Sequence, residues 1–164
     1  MTAWWATKIR RFGRYVFGRV RPDERAALAR WLTPAELSLF DSMQRADQRH
    51  GLDVLAALRA DRHTDPDLLL AGLLHDCGKG RGLHVWHRVG WSLAEHYGSR
   101  AERLMLRLPG FTAAFAVIAA HAARSADLAL EAGCSRVAAD LIRYQAEPVD
   151  PKLGRALLIA DEAN

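Results

Sequence analysis

The chain has 164 residues, half of them apolar and 26% charged, with a formal net charge of +4. That is enough apolar content for one packed core, and two cysteines, Cys77 and Cys134, exclude a disulfide framework. The positive charge is concentrated in residues 1–21, where Lys8, Arg10, Arg11, Arg14, Arg19 and Arg21 stand without an acid. The remainder is close to neutral, so no specific nucleic-acid binding is expected of it.

Ala, Leu, Arg and Glu are frequent and strand-like alternation is scarce, which predicts an all-α fold. Residues 3–20 read as a basic amphipathic helix. Trp5, Ile9, Phe12, Val16 and Val20 recur every three or four positions, and Arg10, Arg14 and Arg21 fall opposite. Such a helix suits an anionic membrane surface, or docking on the domain or a partner chain. We therefore take 1–32 as a helical extension and 33–164 as the domain.

Pro22 or Asp23 opens a short helix through Trp31. Thr33-Pro34-Ala35-Glu36 is a capping box with proline at the first helical position, starting a helix to about Ser42. The next helix holds Asp47, Arg49, His50, Val54, Leu55 and Leu58, and stops near Asp61. Asp65-Pro66 caps a helix that carries Leu68 to Leu74 and ends at His75-Asp76. A loop from Cys77 to about Val85 follows, then helices over 86–97 and near 99–107. Pro109-Gly110 is a break. Phe111 to His121 is an apolar run, followed by a further helix through Glu131. Ser135 caps a helix to about Gln145, and Asp150-Pro151 restarts the last one. No apolar run is taken as long enough to span a membrane, and no signal-peptide core is seen. A cytoplasmic protein, with peripheral contact at the inner membrane surface as an option, is the expectation.

Three apolar helices end in residues that ligate metals: Leu69–Leu74 in His75-Asp76, Phe111–Ala120 in His121, and Ala156–Ala160 in Asp161. His50 lies on a helix whose other face is apolar. Carboxylates and imidazoles at the tips of buried helices need a charge partner or an ion, and convergence from several elements is what ligation requires. Gly78 and Gly80 let the backbone turn and bring Lys79 near the same place.

These residues resemble the HD-domain metal-dependent phosphohydrolase superfamily. His50, His75-Asp76 and Asp161 follow its H…HD…D order. Leu73-Leu74-His75-Asp76-Cys77-Gly78-Lys79 is similar to its LLHDIGK motif, and the segments His121–Gly133 and Leu141–Pro148 resemble its HPExGAEL…AG and LIRxHHEP stretches. The likeness runs over about residues 35 to 164. It implies an HD-type helical bundle with one divalent ion held by His50, His75, Asp76 and Asp161. Mn, Fe, Co, Ni, Zn or Mg would suit that donor set, and manganese is the family-like choice. His121 matches a second-metal position, but its companion falls on Gln145, which favours a mononuclear site.

The implied function is hydrolysis of a phosphomonoester or nucleotide by water whose pKa the ion lowers. Asp76, Lys79 and His121 are then the catalytic candidates, and Arg49, Lys79 and His121 the phosphate contacts. Arg124 and Arg143 are lesser candidates, and His84 and His87 are read as surface or rim residues. The alternative is a non-catalytic HD-type module that binds and senses a nucleotide. The partner in either case is a phosphorylated small molecule or nucleotide.

Overall fold

The computed structural model describes residues 18–164. They form α1 (Pro22–Ala29), α2 (Pro34–Ser42), α3 (Arg45–Ala60), α4 (Pro66–Leu74), a 3-10 turn (Cys77–Lys79), α5 (Val85–Tyr97), α6 (Ser99–Met105), α7 (Phe111–Glu131), α8 (Arg136–Arg143) and α9 (Leu153–Ala163). No strand occurs among the described residues, and the all-α expectation holds. Most of the expected N-terminal helix lies outside them. Gly18, Arg19 and Val20 are not helical, and Val20 packs on the core.

Local chemistry sets the helix starts. Thr33 Oγ1 accepts from the Glu36 amide (3.3 Å), and the Glu36 carboxylate accepts from the Thr33 amide (2.8 Å). Asp65 Oδ1 accepts from Leu68 N, and Ser135 Oγ from Ala138 N. Each satisfies donors that a helix leaves open at its N-terminus.

Helix α4 is the hub. Every residue from Leu68 to Leu74 is buried, which is why the segment is apolar all round rather than striped. It packs between α3, α8 and α9. Two glycines set how closely α3 and α4 approach. A Cβ at Gly51 would collide with the Leu73 carbonyl oxygen, and one at Gly72 would stand 2.7 Å from Leu58 Cδ1. This contact brings the α3 imidazole of His50 beside the last turn of α4. Leu28 and Leu32, ahead of the expected domain start at 33, are buried in the same core.

Two expectations are corrected. Residues 111–131 form one unbroken helix, because no proline or glycine interrupts them, so His121 stands in mid-helix and terminates nothing. Among the described residues, α7 alone is long and apolar enough to cross a membrane by length and composition. The expectation that no segment reaches that length is therefore withdrawn. In the fold, α7 buries Phe111, Ala114, Phe115, Ile118, Ser125, Ala126 and Ala129 along one face, against α5, α8 and the 3-10 turn.

Candidate metal centre

The C-terminal end of α4 meets α3, α7 and α9 at a polar point inside this apolar frame. His50, His75 and Asp76 each offer one ligand atom there, all within 4.8 Å of one another. Asp161 joins them from α9, with Oδ1 2.8 Å from His50 Nε2 and 3.5 Å from His75 Nε2. His121 Nε2 stands 3.5 Å from Asp76 Oδ1, and Lys79 Nζ donates to Asp76 Oδ2 at 2.5 Å. All the residues expected to hold a metal thus converge, together with His121 and Lys79.

His75 and His121 are anchored alike. Each Nδ1 donates to the carbonyl three residues earlier, Gly72 at 3.0 Å and Ile118 at 2.5 Å. A carbonyl only accepts, so Nδ1 carries the proton of the neutral ring and Nε2 is left as a lone pair facing the centre. For His75 that nitrogen is buried and has no hydrogen-bond partner. A buried, unpaired polar atom is costly. Here it points between carboxylate oxygens of Asp161 and Asp76 at 3.5 and 3.7 Å, where a proton or a cation belongs. Two imidazoles and two carboxylates are a donor set that fits a divalent ion.

The electrostatics agree. Burial works against charging His75, but Asp76 and Asp161 outweigh it and raise its pKa to about 9. Burial alone would raise Asp76, yet Lys79 and the surrounding histidines hold its carboxyl far below the usual range. Asp161 is lowered in the same way, against burial, by its contacts with His50 and His75. Burial and the Lys79 charge keep His121 below its ordinary pKa, hence neutral at pH 7.

The 3-10 turn is pressed onto α7. A Cβ at Gly78 would lie 2.5 Å from the His121 carbonyl oxygen and 2.6 Å from Ser125 N, and the Gly78 amide donates to the buried Ser125 hydroxyl at 2.8 Å. Gly80 closes the turn at φ 63°, a region glycine enters without strain. Together these hold Asp76 and Lys79 against His121.

The centre opens into a cleft of about 410 Å³. Arg49 lines it, but its guanidinium is engaged by Glu24 (2.8 and 2.9 Å) and Asp53 (2.9 Å). Gln145 also lines it, and its side-chain amide donates to the His75 carbonyl at 3.4 Å, bracing the ligand rather than ligating. Arg124 and Arg143 do not line it, and Arg143 pairs with Asp127 at 2.6 Å. His87 is not a surface residue: it is buried edge-on against Phe111, with ring centroids 5.0 Å apart.

The sequence reading missed the opposite wall. Arg88, Trp91, Ser92 and Glu95 of α5 line the cleft, and their spacing of three, four and seven places them on one helical face. Arg88 donates to the buried Asp47 at 2.7 Å, tying α5 across the cleft to α3. The periodicity was present in the sequence, but nothing local says that this face turns toward His75.

No family model, curated protein or solved structure matches the chain.

Proposed function

We propose that the chain is a metal-dependent phosphohydrolase acting on a phosphomonoester or nucleotide. The supporting observation is the buried, unpartnered Nε2 of His75, aimed at the point where His50, Asp76 and Asp161 converge. His50, His75, Asp76 and Asp161 would hold one divalent ion, manganese among the candidates. When bound, such an ion neutralises charge on a phosphoryl group and lowers the pKa of water. The protein's own groups supply the rest. Lys79 places a cation beside Asp76, where it complements a phosphate oxygen. His121, neutral and with Nε2 facing the centre, would accept a proton from the attacking water and return it to the departing alcohol oxygen as the ester P–O bond breaks.

The test is to purify the full chain, measure bound metal, and screen phosphate esters with each candidate ion. Stoichiometric metal in the wild type, lost in His75→Ala with Asp76→Ala, supports the proposal. A wild type without metal, or unchanged metal content in the double variant, rejects it. Binding of nucleotides with a thermal shift but no turnover assigns the chain to the sensing alternative instead.

A further inference from the structure

The cleft has a wall that the metal chemistry does not use. Trp91, Ser92 and Glu95 of α5 line it, together with Leu83 and Ile118. Trp91 is held in place: its ring meets Phe115 edge-on, with centroids 5.1 Å apart, and it packs on the cluster of Leu83, Ala114 and Ile118. A half-buried indole fixed on one side, with its remaining surface in a cleft, is a platform for a flat ring. Glu95, one turn further along the same face, is exposed at the rim and only accepts hydrogen bonds.

Charge sets a second limit. Among the described residues, the cations lining the cleft are Arg49, Lys79 and Arg88, and each is already paired: with Glu24 and Asp53, with Asp76, and with Asp47. Glu95 adds an exposed carboxylate to the lining. A single phosphoryl group at the centre would meet the ion, with Lys79 beside it, whereas further phosphates would find only Glu95 and arginines already paired with carboxylates.

We infer that the α5 wall recognises the organic part of the substrate, and that the substrate is a monophosphate ester of a planar, hydrogen-bond-donating body. Trp91 stacks the ring, Glu95 accepts from a donor on it, and the pairing of Arg49 and Arg88 leaves di- and triphosphates without a partner. This inference rests on the hydrolase reading for the phosphate end only.

The experiment uses the manganese-loaded full chain with three probes: adenosine monophosphate, adenosine triphosphate and glycerol 3-phosphate. Binding is followed by calorimetry and hydrolysis by phosphate release. Adenosine monophosphate is expected to bind at least tenfold more tightly than the other two. Trp91→Ala is expected to weaken it at least tenfold, leaving glycerol 3-phosphate and metal content unchanged, with Trp91→Phe restoring most of the affinity. Glu95→Gln is expected to narrow the gap between mono- and triphosphate. Equal binding of all three probes, or an equal loss for all of them in Trp91→Ala, overturns the inference. The two proposals separate cleanly. Trp91-dependent binding without turnover removes the hydrolase and leaves this wall, while turnover indifferent to Trp91 does the reverse.

Discussion

His75 carries the sharpest consequence at the scale of single residues. Its pKa is raised to about 9 in the folded chain by Asp76 and Asp161, against the pull of burial. Its ordinary value is near 6.5. In the metal-free protein the stability from this charged ring is therefore full below about pH 6.5 and is lost as pH rises toward 9. A metal ligand must be the neutral ring, so a cation has to displace that proton throughout this range. The apparent affinity for manganese is expected to fall about tenfold for each pH unit lowered between 8.5 and 7. Competition titration against a chelator at several pH values measures this directly, and a flat profile would show that His75 is not a ligand.

At the scale of elements, Gly78 is where the 3-10 turn and α7 depend on each other. Gly78→Ala puts a methyl group against the His121 carbonyl and the Ser125 amide, an overpacking that costs about 1–3 kcal/mol. It should also lower metal affinity, because Asp76 and His121 are pushed apart. Thr33→Ala is the comparison: losing that cap costs about 1 kcal/mol and should leave metal affinity unchanged, since α2 contributes no ligand. Denaturant melts paired with metal titrations distinguish the two outcomes. The caps at Thr33, Asp65 and Ser135 were legible in the sequence because they involve residues three apart. The His75-Asp76 tip was legible because its chemistry contradicts its apolar setting. The α5 wall was not, since its function comes from crossing the cleft to Asp47, forty-one positions away. The continuity of α7 was obscured by reading His121 as an end, when only the absence of a helix breaker in 111–131 bears on it.

For the whole molecule, the core reaches further toward the N-terminus than the expected domain start at residue 33. Leu28 and Leu32 are buried, and Glu24 holds Arg49 at the cleft. Burying a leucine contributes about 1.5–3 kcal/mol. A chain starting at Pro34 should accordingly lose several kcal/mol by the same scale, read as a lower urea midpoint than the full chain. Because the ligands come from α3, the end of α4, and α9, an ion joins elements distant in sequence and should stabilise the fold as one unit. Manganese at a hundred times its dissociation constant is expected to add about 2.7 kcal/mol. A chelator should reverse this in a thermal melt, and an unchanged melting temperature would contradict it.

Helix α7 runs unbroken from Phe115, behind Trp91, to His121 at the ion centre. They stand six positions apart on a regular helix, about 9 Å along the axis. Phe115 and His121 are thus mounted on one rigid rod, and their offset is fixed by helical rise instead of by a loop. Deleting a single residue between them would swing the imidazole about 100° away from Asp76 while Phe115 keeps its place behind Trp91.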